Sequence, residues 1–138
     1  MKLELAYLRD FATRYANAWC SRNPAAVAAF FSPHGSLIIN DGEPSVGRAA
    51  IVEAAREFMD ALPDLCVRLD DIVIKSAVVE FHWTLTGTNA GPGGTGQRVR
   101  LSGFEEWIFS GDGLVDKSLG HFDAAEYQRQ IADGFGHG

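Results

Sequence analysis

A basic surplus, a membrane-length apolar run, cysteines at metal-ligand spacing and clustered histidines are all missing from this chain of 138 residues. The net charge is -6. An acidic balance argues against nucleic acid as a partner, because phosphate binding needs a basic surface. No apolar run approaches the ~20 residues of a bilayer span, so no membrane partner is expected. The start, Met1 to Glu4 followed by Arg9 and Asp10, lacks the layout of a signal peptide. Cys20 and Cys66 have neither metal spacing nor a disulfide-dense setting. They read as buried free thiols, with Cys20 in the core, in a protein expected in a reducing cytoplasm. The histidines stand singly, so no metal is expected. No cofactor motif is present either. The glycine loop of residues 90–96 lacks the Lys-Ser/Thr ending of a phosphate cradle and joins two strands. There is no internal repeat and no linker. Residues 1–133 are expected to form one domain and 134–138 a flexible tail.

What is present is a globular composition, 46% hydrophobic and 11% aromatic, in a chain long enough to bury a core. Leu8, Phe11, Tyr15, Ala18 and Trp19 form one stripe of a first helix over residues 3–21. Asn23-Pro24 restarts a short helix that runs to about Phe31, Pro24 standing at its first turn. Residues 36–40 read as a strand and 41–44 as a turn. A third helix, 48–61, ends before Pro63. Strands are then predicted over 65–75, 78–89, 97–110 and 114–122. Gly111-Asp112-Gly113 is a hairpin turn between the last two. Asp123 caps a final helix over 124–132. Helices with one early strand, then consecutive antiparallel strands, predict an α+β fold: a strongly curved mixed or antiparallel sheet wrapped on N-terminal helices, with a concavity between them.

Within strand 97–110 one side-chain face carries Val99, Leu101, Gly103, Glu105, Trp107 and Phe109. This is the more apolar face, and Glu105 lies in it. A buried carboxyl is paired, neutral or used. Glu105 is therefore the first candidate for chemistry. The structural alternative is a carboxyl held by a Tyr, Ser or Arg neighbour, or turned to solvent by a bulge. His82 falls on the opposite face of its strand, where solvent or a salt bridge to Glu80 or Glu106 is expected. His121 is a candidate general base, since an unperturbed imidazole titrates near neutrality; capping the next helix is the alternative. Trp19, Trp83 and Trp107 suit a pocket wall or plain core.

The stretches FHWTLTGTN (81–89), SGFEEWIF (102–109), DGLV (112–115) and GHFD (120–123) resemble the nuclear transport factor 2-like superfamily, which includes ketosteroid isomerases and SnoaL-like polyketide cyclases. The resemblance covers nearly the whole chain. It implies a cone-shaped, cystatin-like roll with an internal pocket, often homodimeric through the outer sheet face. It places Tyr15 and Glu105 where isomerases hold an oxyanion. The isomerase base position falls on Ile39, beside Asn40 and Asp41. The cyclase acid position falls on Gly120. The resemblance thus implies a pocket for an apolar, polycyclic or steroid-like molecule. Tyr15 and Glu105 are its candidate oxyanion donors, and Asp41 or His121 the candidate proton carrier. Trp19, Asn40, Trp83, Trp107, Ser118, Gly120 and Phe122 are the expected ligand-binding residues. The alternative is a non-catalytic module on the same fold that binds a small molecule or another protein.

Overall fold

The computed structural model describes residues 4–135. The first helix, α1 (Leu5–Trp19), buries Leu8, Phe11, Ala12, Tyr15, Ala16, Ala18 and Trp19, the stripe that its three- and four-residue spacing predicts. The short α2 (Pro24–Ala28) starts at Asn23, whose side chain accepts from the Ala25 N–H at 3.1 Å. It stops earlier than its sequence suggests. Phe31 already begins β1 (Phe31–Ile39), and the register shift between Phe31 and Ser36 absorbs Pro33, which has no N–H to give to a ladder. A two-residue strand, β2 (Ser45–Val46), follows the turn and was not legible, because two residues carry no periodicity. Then come α3 (Arg48–Ala61), β3 (Cys66–Lys75), β4 (Val78–Thr88), β5 (Arg98–Phe109), β6 (Val115–His121) and α4 (Ala124–Asp133). The Asp123 side chain accepts from the Glu126 N–H at 3.0 Å and so fixes the start of α4.

The strands form one open, curved sheet of six in the order β2-β1-β6-β5-β4-β3. All pairs are antiparallel except β1 with β6, so the sheet is mixed. The helices pack on its concave side, α1 against β3 and α3 against β1. Two registers position the site. Glu105 pairs with Phe81 on one side and Gly120 on the other. The ladder through residue 105 is regular. The nearby shift lies between Ile108 and Phe109, where β6 carries the extra residue. Glu105 therefore keeps the inward phase that alternation gives it.

The glycine loop is a strand connection. Asn89 Oδ1 accepts from the Thr95 N–H at 2.9 Å, and a Cβ on Gly91 would lie 2.0 Å from the Asp60 carbonyl oxygen, so the loop sits directly on the end of α3. Beyond α4, the Phe135 N–H donates to the Arg98 carbonyl at 2.8 Å, which ties the first part of the expected loose tail to β5. Residues 1–3 and 136–138, the latter most of that tail, lie outside the described range.

The expectation that both cysteines are buried does not hold. Cys66 is exposed and Cys20 half-buried, with their sulfurs 3.1 Å apart. The reason is position: Cys20 caps the end of α1 and Cys66 opens β3, an edge strand of the sheet.

Candidate functional site

The concave side is filled at one end and hollow at the other. The filled end stacks Phe81 on Trp107, with ring centroids 4.9 Å apart, and sets the Tyr15 ring edge-on against both, at 5.4 and 5.2 Å. The hollow end is walled by six aromatic rings, those of Trp19, Phe58, Phe81, Trp83, Phe122 and Tyr127, together with aliphatic residues, Gly120 and Glu105. The cavity volume is about 60 Å³.

Glu105 stands at the boundary between the two ends. Its Oε1 accepts from Trp107 Nε1–H at 2.9 Å, from the Ser118 hydroxyl at 2.7 Å and from the Tyr15 hydroxyl at 3.0 Å. Its Oε2 receives only the other half of the Tyr15 bond, at 3.1 Å. An indole nitrogen only donates, so this oxygen cluster is built to receive hydrogen bonds. Burial pushes the Glu105 carboxyl above its ordinary range, and the bonds from Trp107, Ser118 and Tyr15 pull it back. Burial, followed by the charge of Glu105, also drives the Tyr15 phenol well above its usual range, so Tyr15 stays a proton donor. No buried side-chain nitrogen or oxygen among the described residues lacks a partner.

The expected site residues separate into groups. Trp19, Trp83, Glu105, Gly120 and Phe122 line the cavity. Tyr15, Trp107 and Ser118 do not line it; all three are fully buried and aim their donors at Glu105 from behind. Tyr15 is therefore placed as a support for the carboxylate rather than as a second donor facing a ligand. Asn40 adopts a left-handed backbone, φ 53°, and accepts from the Phe122 N–H at 3.0 Å, which holds Phe122 at the cavity rim. Asp41 lies exposed in the turn after β1. His121 points to the convex face, where it pairs with Glu106 at 3.1 Å and packs on Phe104. Neither Asp41 nor His121 reaches the cavity wall: His121 is one step out of phase with the inward Gly120, and Asp41 follows the left-handed Asn40 into the turn beyond the inward Ile39, where β1 has ended. His82 makes the salt bridge expected of it, to Glu80 at 2.9 Å. Among the described residues no group of three His, Cys, Asp or Glu could hold a metal ion.

Ile39 and Gly120 both line the cavity, so the two positions at which a carboxylate was implied are inward and apolar. A Cβ at Gly120 would meet Glu105 Cγ at 3.8 Å, an ordinary contact, so the space beside the carboxyl exists because that side chain is absent. Gly103 has a second use. A Cβ there would lie 2.3 Å from the His121 carbonyl oxygen and 2.6 Å from the Trp83 ring, so only glycine fits between them. Sequence reasoning missed Phe58 and Tyr127 as wall residues. Phe58 projects from α3 and Tyr127 from α4, with ring centroids 6.2 Å apart, a juxtaposition that neither helix's own spacing encodes.

The α+β cone, a curved unclosed sheet with helices on one side, is the nuclear transport factor 2-like fold. The model of the SnoaL-like domain family matches residues 12–117, and the chain belongs to that family. No curated protein matches the sequence. Solved structures share the fold. A putative SnoaL-like polyketide cyclase from Jannaschia sp. superposes with a TM-score of 0.80 at 16% identity, covering 96% of this chain and 97% of that one. AclR, a putative hydroxylase from Streptomyces galilaeus, gives 0.78 at 24% identity, covering 94% and 98%. A hypothetical protein with a ketosteroid isomerase-like fold from Catenulispora acidiphila, in complex with trimethylamine, gives 0.78 at 15% identity, covering 89% and 92%. At these identities the likeness concerns fold alone. No helix among the described residues is long and apolar enough to cross a membrane.

Proposed function

We propose that the cavity binds a small apolar molecule and that Glu105 is its acid/base group, moving a proton in an isomerase- or cyclase-like reaction. The observation that carries this reading is the Glu105 carboxyl itself: the one carboxylic acid in an apolar wall, oriented by three buried donors, with Oε2 the less engaged oxygen. A carboxyl raised by burial is better matched to proton transfer near neutral pH than a solvated one. Tyr15, Trp107 and Ser118 position the group and steady its charged form as it cycles. With Ile39 and Gly120 in place of further acids, a single carboxyl would take the proton from one atom of the ligand and return it to another. Tyr127 is the other ionisable side chain on the wall, and its phenol is raised by burial, which suits a neutral donor. The limited space favours a ligand of one or two rings over a polycyclic one unless the walls move.

The test is deuterium incorporation from heavy water into a panel of small cyclic ketones. Wild type should label at least one, and Glu105→Gln should lower the rate by about 100-fold or more while binding persists. Equal labelling by both proteins would remove Glu105 from the chemistry.

A second reading, a non-catalytic binding module, is favoured by one feature. An acceptor-only carboxylate among aromatic faces suits a hydrophobic ammonium ion, and the Catenulispora relative is described with trimethylamine. Binding of trimethylammonium that collapses in Glu105→Gln, with no labelling of any ketone, would select it. A homodimer through the convex face, which presents Phe104 and Ile108, is proposed alongside either reading; sedimentation velocity at micromolar concentration would show it.

A further inference from the structure

The two cysteines sit 46 positions apart in sequence with sulfurs 3.1 Å apart. That is closer than two non-bonded sulfurs rest comfortably, and it leaves little movement before a bond can form. The pair joins two walls of the cavity. Trp19, immediately before Cys20, and Val67, immediately after Cys66, both line it. We propose that Cys20 and Cys66 form a thiol–disulfide site that clasps the end of α1 to the edge strand β3 and so sets the spacing of the cavity wall between Trp19 and Val67.

The environments of the two thiols assign different roles. Cys66 is exposed and meets a small oxidant first. Cys20 is half-buried, and its sulfur accepts the Val67 N–H at 3.0 Å. Burial raises the Cys20 thiol above its ordinary range, and the Val67 bond offsets part of that by stabilising charge on the sulfur. With a low-molecular-weight disulfide such as oxidised glutathione as oxidant, the Cys66 thiolate attacks one glutathione sulfur and releases one glutathione thiolate. The Cys20 thiolate then attacks Cys66 Sγ in the mixed disulfide, forms the Cys20–Cys66 bond and releases the second glutathione. Two cysteine protons pass by way of solvent to the two glutathione thiolates. The protein loses two electrons and the glutathione disulfide gains them. The reverse exchange with excess glutathione opens the clasp.

The experiment treats the full chain with oxidised glutathione, removes the reagent, and reads intact mass, a tryptic map and thermal unfolding. Wild type should lose the mass of two hydrogens, give a Cys20–Cys66 cross-linked peptide and carry no lasting adduct. Cys20→Ser should keep one glutathione on Cys66, and Cys66→Ser should stay largely unmodified over the same time. Cys20→Ser keeps an acceptor for the Val67 N–H, and Cys66→Ser changes an exposed side chain, so both variants should fold. The oxidised chain should unfold about 5 °C or more higher than the reduced one, because the cross-link closes a long loop in the unfolded state. Two free thiols after treatment, a cross-link between two chains, or equal adducts on both single variants would overturn the site. The clasp's link to the cavity rests on the ligand-binding reading above and is measured separately, with phenol as probe. The two redox forms should differ in phenol affinity by roughly fivefold or more. Measurable phenol binding with equal affinity overturns that link and leaves the cavity standing. Absence of phenol binding in both forms overturns the link together with the cavity reading, while the mass result still decides the clasp.

Discussion

Glu105 and Glu106 are neighbours in the chain and opposites in circumstance. Strand alternation sends Glu105 into the concave side, 7% exposed, under bonds from Tyr15, Trp107 and Ser118. It sends Glu106 to the convex side, where it meets only His121, with side-chain exposures of 35% and 41%. The same functional group is costly to strand in one place and nearly free in the other. The difference comes from the surroundings. A carboxylate out of water must be held by designed donors, whereas an exposed ion pair competes with solvent and is screened by salt. The convex array of Glu80, His82, Phe104, His121 and Glu106 looks richer in chemistry than the concave one, yet His82, His121 and Glu106 are partly solvated and the buried Glu80 is held by Lys75 at 2.9 Å. Site character here follows desolvation more than the number of titratable groups.

The largest effect should come from Glu105→Leu. It leaves three buried donors without an acceptor, at about 1–3 kcal/mol each, so stability should fall by about 3 kcal/mol or more in urea unfolding. A loss under about 1 kcal/mol would mean that water reaches the site. Glu105→Gln should cost less, because its carbonyl can still accept from Trp107 and Ser118.

The next effect is in pH dependence. Burial raises the folded carboxyl of Glu105 above its unfolded value. Between those two values the unfolded chain has released a proton that the folded chain keeps. Stability from this group is therefore fully present below the ordinary carboxyl range, declines as pH rises toward the raised folded value, and is level above it. Wild type minus Glu105→Gln should show that decline, measured as urea midpoints across pH. A difference curve that rises over the same interval would contradict the raised value.

Gly120→Ala should sharpen the contrast from the cavity side. The added methyl finds no contact shorter than 3.6 Å, so the fold should persist with stability changed by less than about 1 kcal/mol. Phenol binding should nevertheless weaken, because the methyl fills space beside Glu105. Undiminished binding would place the ligand elsewhere. At the small end, Glu106→Gln should shift stability by about 0.5 kcal/mol or less, since the His121 pair is half in solvent. A shift as large as that of Glu105→Leu would erase the distinction between the two faces.

The architecture was readable because long elements carry long signals. The stripe of α1, the length of β4 and β5 and the Asp123 cap are all periodic or positional patterns. The inward phase of Glu105 was readable for the same reason, since alternation survives where no bulge intervenes. Which partners hold the carboxyl was only partly readable. Tyr15 and Glu105 meet as their places in the fold implied, but Trp107 and Ser118 were expected as wall and lie behind it. Whether a buried side chain faces a hollow or supports one depends on packing from several elements, which no single strand's pattern encodes. Asp41 and His121 show the converse. Each was credited through proximity in sequence to an inward residue; for His121 one step from Gly120 reverses the face, and for Asp41 the strand has ended at Ile39 and the chain turns away. The Cys20–Cys66 approach joins a helix end to a sheet edge and left no trace in spacing at all.

The most direct measurement is a carboxyl-carbon NMR titration of the chain labelled at glutamate Cδ, with and without phenol. One resonance, absent from Glu105→Gln, should titrate above the other glutamates and shift its midpoint when phenol fills the cavity. A Glu105 resonance that titrates with the solvated glutamates, or one unmoved by phenol at saturation, would contradict the assignment of this carboxyl as the proton-exchanging group of the cavity.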